Sequence, residues 1–143
     1  MRFYIQVKEE RKTLSIGEIK IGMLQETFDM AMGYWTIFDY KRQWINGLRR
    51  VIRGKDSSLI TSLTDPKSAN YIVWWPLYVR GSDVLVHNQL LFLDQLKQNF
   101  CINDPYTHVP PYSNRNEDGD EISEWVTTLS DIELFLNSVG SGD

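Results

Sequence analysis

One cysteine, Cys101, is all that this sequence offers to disulfide chemistry. A lone thiol closes no intramolecular bridge, so a secreted scaffold stapled by disulfides is not expected. Zinc is equally short of ligands. There is no second Cys, and His87 and His108 lie twenty-one residues apart in unlike elements, so no metal is expected. The nine glycines form neither G-x-x-x-x-G-K-[ST] nor G-x-G-x-x-G after a strand, and no G-x-S-x-G elbow occurs. These absences predict no cofactor and no catalytic residue. No apolar run approaches the ~20 residues of a membrane span. The opening "MRFYIQV" has only a short apolar-leaning run before Lys8, too little for a signal-peptide core. The expected location is the cytoplasm, without membrane contact.

What is present is aromatic and unevenly charged. The 143 residues suit a single domain, 1–143, with a core of its own. Aromatic residues make up 13%, including five Trp and seven Tyr, which suits a dense core or a recognition surface. The net charge of −4 conceals an asymmetry. Residues 1–93 carry thirteen Lys/Arg against nine Asp/Glu, whereas residues 94–143 carry two against ten. Phosphate repels the acidic C-terminal third, so nucleic acid is not an expected ligand there. A basic protein is, because complementary potentials speed encounter and reject wrong partners.

Periodicity gives the elements. "RFYIQVK" alternates as a strand, as does "TLSIGEIKIGM", where Gly17 breaks the phase and predicts a bulge or short turn. "LQETFDMAM" is read as a third strand. "TIFDYKRQWINGLRRVIRG" is a helix capped by Thr36 or Asp39, with Tyr40, Trp44, Leu48, Val51 and Ile52 on one stripe and Gly54 as a left-handed stop. Gly47 inside it implies a close neighbour. "SSLITSL" is a short strand. Two further strands, about 71–79 and 84–91, meet near Gly81, and Pro76 predicts that the first lies at an edge or a bulge. Residues 90–100 are read as helical and 102–120 as irregular. "EISEWVTTL" reads as a strand, and "SDIELFLNSV" as a short helix capped by Ser130 or Asp131 and frayed from about Gly140. Without β-α-β-α alternation, the pattern implies an α+β fold. Its mainly antiparallel sheet packs with a central amphipathic helix and a short C-terminal helix.

Three groups of side chains invite a functional reading. Glu117, Asp118, Asp120, Glu121 and Glu124 place five carboxylates in eight residues. Their spacing does not match a twelve-residue calcium loop, and adjacent loop acids argue only weakly for glycoside cleavage. What remains is a solvated acidic turn or a protein-binding patch. Trp74 and Tyr78 share one face of a strand. They belong to the core unless one of them, or Trp75, reaches an exposed rim and anchors a partner. Cys101 and His108, seven residues apart, could form a nucleophile and base, but no third residue orients them. His87 reads as a partly buried ring with a hydrogen-bond partner.

Several segments together, "GYWTIFDYKRQWINGLRRVIRG", "SSLITS", "WWPLY", "VHNQLLFL" and "EDGDEISEWVTTLSDIELFL", resemble a bacterial family: the immunity proteins of contact-dependent growth inhibition systems. The resemblance runs from about Gly33 to Leu136 and rests on aromatic and turn positions. It implies a cytoplasmic, non-enzymatic protein that binds the C-terminal domain of a cognate toxin and neutralises it by stoichiometric complex formation. Many such toxins are nucleases with basic clefts. The resemblance carries over no contact residue. Charge assigns the toxin-binding role to Glu117, Asp118, Asp120, Glu121 and Glu124, with Trp74 and Tyr78 as rim anchors. The rival expectations are a small hydrolase using Cys101 and His108, and an adaptor domain for a housekeeping protein.

Overall fold

A computed structural model of the chain describes residues 1–140. The fraying expected beyond Gly140 falls outside the described residues. Three strands, β1 (Phe3–Glu9), β2 (Leu14–Ile21) and β3 (Leu24–Ala31), form an antiparallel meander. Its core face carries Phe3, Ile5, Ile19, Ile21 and Met30, all buried. The helix α1 (Ile37–Ile52) follows, then a second antiparallel sheet. That sheet contains β4 (Ser57–Ser62), β5 (Tyr71–Arg80), β6 (Asp83–Val86), β7 (Gln89–Phe92) and β8 (Trp125–Thr128), in the order β4-β5-β6-β8 with β7 also on β5. The helix α2 (Leu129–Gly140) closes the described chain. The α+β architecture with a central helix and a short C-terminal helix is the one the sequence implies.

The stripe on α1 is buried at Tyr40, Trp44, Leu48 and Val51, but Ile52 is exposed. Thr36 and Asp39 form one reciprocal cap: the Thr36 hydroxyl accepts from the Asp39 N–H, and the Asp39 carboxylate accepts from the Thr36 N–H. Both expected capping residues therefore act, in different roles.

A helix this amphipathic normally offers only apolar contact. Here its buried face also carries polar side chains that finish the edge of β4. The Gln43 amide donates to the Ser58 carbonyl (2.8 Å) and accepts from the Ile60 N–H (2.7 Å). The Trp44 indole donates to the Ile60 carbonyl (2.7 Å), and the Tyr40 hydroxyl accepts from the Leu63 N–H (3.0 Å). Tyr40 also donates to the Ala31 carbonyl at the end of β3 (2.6 Å). Burial pushes its hydroxyl up to about 12, so it stays protonated as a donor. The approach is close because Gly47 has no side chain. A Cβ there would stand 2.7 Å from the Ser58 carbonyl oxygen.

Four local expectations are corrected. Gly17 makes no turn, since β2 pairs unbroken with β3; the bulge expected there is present in the ladder, but its extra residue lies in the partner strand β1, between Val7 and Glu9, which pair with Gly17 and Ile16. The phase break instead makes room for the Phe28 ring, which fills the space a Cβ at Gly17 would need. Pro76 sits in a central strand, between β4 and the β6/β7 side. Its carbonyl accepts from the His87 N–H (2.9 Å), so its missing donor faces that side. There the second hairpin strand is interrupted between Val86 and Gln89, although the register either side is the same. Residues 90–100 form no α-helix: Leu90 to Phe92 complete β7, a single 3₁₀ turn follows at Leu93–Gln95, and 96–100 are irregular. Finally, it is Thr128, not Ser130 or Asp131, whose hydroxyl accepts from the Asp131 N–H and caps α2.

Two substitutions test the seam between α1 and β4. Gln43→Leu keeps the volume but leaves two buried backbone groups of β4 unpaired, and should lower unfolding free energy by about 2 kcal/mol or more. Gly47→Ala should cost about 1–3 kcal/mol, because its neighbour is backbone and cannot swing aside. Urea unfolding measures both, and values within experimental error of wild type would mean that the seam contributes little.

Candidate functional site

The irregular segment between β7 and β8 lies against the second sheet through Tyr78. The Tyr78 hydroxyl donates to the Pro110 carbonyl (2.9 Å), and its ring meets those of Tyr112 (5.2 Å) and His87 (5.1 Å). Burial, with Asp56 adding repulsion, pushes the Tyr78 hydroxyl up to about 12. Trp74 and Tyr78 are 0% and 1% exposed, and Trp75 is 1%. The exposed rim considered for them is therefore corrected: all three are core, because β5 is covered on both faces. Trp74 donates to the Gln89 amide oxygen (3.0 Å), and Trp75 packs on Trp125 (5.5 Å).

Beyond Tyr112 the chain makes a tight acidic turn. Arg115 and Glu121 form an isolated antiparallel bridge, and the Ile122 N–H donates to the Asn114 carbonyl (2.9 Å). The Asn116 side-chain oxygen accepts from the N–H groups of Asp118 and Asp120 (3.0 Å each). Arg115 donates to the Gly119 carbonyl (2.8 Å), and Gly119 takes the left-handed backbone (φ 85°) that the turn needs. Asn116 and Arg115 thus satisfy the turn's backbone. Glu117, Asp118, Asp120 and Glu121 are left exposed, and none forms an ion pair among the described residues.

Glu124 does not stand with those four. Its carboxylate meets His87 Nε2 (2.9 Å) and accepts from the Tyr112 hydroxyl (2.7 Å), with its side chain 27% exposed. The buried His87 therefore has the partner expected for it. Burial pushes the Glu124 carboxyl up, but the hydrogen bonds from Tyr112 and His87 outweigh it and hold the group below its ordinary value. Glu124 is a clasp that ties the exit of the acidic turn to β6. The spacing of acids along the chain could not separate it from the others, because its partners lie twelve and thirty-seven residues away.

Two further places lie apart from the acidic turn. His108 Nε2 accepts from the Cys101 N–H (3.2 Å), and its ring lies on Phe100 (5.3 Å). The nitrogen a general base would use is thus engaged by backbone. A groove of about 790 Å³, which the sequence did not signal, runs between β1, α1 and α2, with Trp44 and Phe135 in its lining and Lys41, Arg42 and Arg49 beside them. Its charge is opposite to that of the acidic turn. No group of three or more His, Cys, Asp or Glu able to hold a metal occurs among the described residues, and no helix among them is long and apolar enough to cross a membrane.

The clasp has a pH signature. Because the folded carboxyl lies below its unfolded value, Glu124 stabilises the fold above about pH 4.5, and this is lost as pH falls through the folded value. Tyr112→Phe removes one of the two hydrogen bonds, so the folded Glu124 carboxyl should titrate at higher pH, and its contribution to stability should be smaller and fully lost at a higher pH. A carbon-13 titration of Glu124 in both proteins measures this, and coincident curves would contradict it.

Residues 30–135, from the end of β3 into α2, match the CdiI N-terminal domain family. The chain is 29% identical over 136 residues to the immunity protein CdiI of Enterobacter cloacae subsp. cloacae, covering 94% of this chain and 93% of that protein. Its fold is similar to that of a chain in the solved CdiA-CT/CdiI toxin and immunity complex from Enterobacter cloacae. The TM-score is 0.86 at 28% identity, over 97% of this chain and 99% of the other. The family match coincides with the segments from Gly33 to Leu136 that carry the resemblance, and the structural likeness extends it through the first sheet. This chain belongs to the CdiI N-terminal domain family of contact-dependent growth inhibition immunity proteins.

Proposed function

We propose that this protein is a cytoplasmic immunity protein that binds one cognate toxin domain, a basic nuclease, and neutralises it by stoichiometric complex formation without turnover. The observation that carries the reading is the near full-length fold likeness to a chain of a toxin and immunity complex. The acidic turn supports the choice of a basic partner. Four unpaired carboxylates on a backbone-satisfied hairpin form a preorganised negative surface, which loses little freedom on binding. They can stand where substrate phosphates would lie in a nuclease cleft. The cationic groove beside α1 would repel such a cleft, so the turn is the better candidate for first contact. Negative potential there raises the rate of encounter, and an antidote must act before damage spreads.

The test is growth protection. Cells expressing the toxin domain encoded beside this gene should survive only when this chain is co-expressed, and death in its presence would overturn the reading. Lysine at positions 117, 118, 120 and 121 in one variant should slow association about tenfold or more at low salt and flatten its salt dependence. Stopped-flow association measures this. An unchanged rate in a folded variant would move the interface away from the turn.

A further inference from the structure

The second sheet has one edge that α1 seals and another that nothing among the described residues seals. Along the hairpin β5–β7 the bonded pairs alternate. The His87 N–H donates to the Pro76 carbonyl, and the Leu93 N–H donates to the Asn70 carbonyl (3.0 Å). In that register Gln89 and Leu91 turn their backbone groups towards β5, and Leu90 and Phe92 turn theirs outward. No other part of the described chain hydrogen-bonds to the outward groups of Leu90 and Phe92. Their side chains share one face with Tyr71, and these three are 45%, 41% and 47% exposed. Tyr71 and Phe92 are in ring contact (6.1 Å). An open, apolar edge strand is a template for another strand, and soluble proteins usually blunt such edges.

The edge is also continuous with the acidic turn. The register of β6 with β8, carried on, sets Glu124 opposite His87, as their contact confirms, and Ile122 opposite Gln89. The chain therefore leaves the line of β8 just where β7 opens. Ile122 and Glu121 pair back onto Asn114 and Arg115 instead, and the exposed Asp94 follows β7.

We propose that β7 is a docking edge on which the toxin domain lays an extended strand bearing apolar and cationic side chains. The strand would continue the line of β8 along β7. Its main chain pairs with Leu90 and Phe92, its apolar side chains cover Tyr71, Leu90 and Phe92, and its cations meet the acidic turn. This inference rests on the proposed function and adds to it a mode of recognition, strand addition.

Hydrogen exchange on the wild-type protein, alone and with the purified toxin domain from the adjacent reading frame, tests it directly. The amides of Leu90 and Phe92 should exchange freely in the free protein and be protected in the complex. Leu90→Pro removes an outward donor and no internal ladder bond, so it should fold with an unchanged melting temperature and bind about tenfold more weakly or worse. A complex that forms with both amides still exchanging freely overturns the edge and leaves the immunity reading intact. Protection of those amides by self-association, seen in sedimentation without toxin, assigns the edge to a second copy and overturns the proposal too. Failure to form any complex overturns both readings.

Discussion

The hydrogen bonds from α1 to the edge of β4 hold the two sheets in one structure. A helix face that only buried Tyr40, Trp44, Leu48 and Val51 could slide along a sheet, because hydrophobic contact has no direction. Gln43, Trp44 and Tyr40 add direction. Each meets a particular carbonyl or amide of residues 58–63, so the helix has one register. Gly47 allows the approach, and the Ser57 hydroxyl returns a bond to the Gly47 carbonyl (2.8 Å). The first sheet is tied to the same helix: Phe28 meets Trp44 edge-on (6.0 Å), and Tyr40 bonds the end of β3. Removing a polar member of this seam strands buried backbone groups, which costs more than the bond itself contributes.

With β4 sealed, the rest of the second sheet can vary. Pro76 in the central strand interrupts the outer ladder at residues 87 and 88, and His87 there turns to Glu124 instead. Tyr78 and His87 become the floor on which the segment before β8 rests. The acidic turn stands on that floor, and the open edge of β7 lies beside it. One proline thus links a break in the sheet to the anchoring of the surface that carries the charge. The aromatics of this floor and of the strand beneath it are buried, whereas the carboxylates of the turn are exposed.

Legibility from sequence followed the range of the interactions involved. The capped helix, the left-handed Gly54 and the strand alternation were readable, because each depends on neighbours a few residues apart. The close approach at Gly47 was inferred correctly from the cost of glycine in a helix, although its cause is backbone eleven residues away. The acidic turn was visible as composition. Misreadings occurred where a distant partner decided: Phe28 over Gly17, β6 and β7 flanking Pro76, and His87 drawing Glu124 out of the acidic run. Trp74 and Tyr78 were ambiguous for the same reason, since a strand apolar on both faces does not say what covers it.

By itself, then, the sequence determined the α+β class, the central helix with its cap and stop, the concentration of negative charge in the C-terminal third, and the family motifs from Gly33 to Leu136. These are properties of periodicity, composition and short spacing, and they survive without coordinates. Only the tertiary structure decided which aromatics were core, which of five acids was a clasp, and which sheet edge was sealed and which left open. Each of those depends on groups brought together across tens of residues by the closure of the sheets, and no local pattern encodes that meeting.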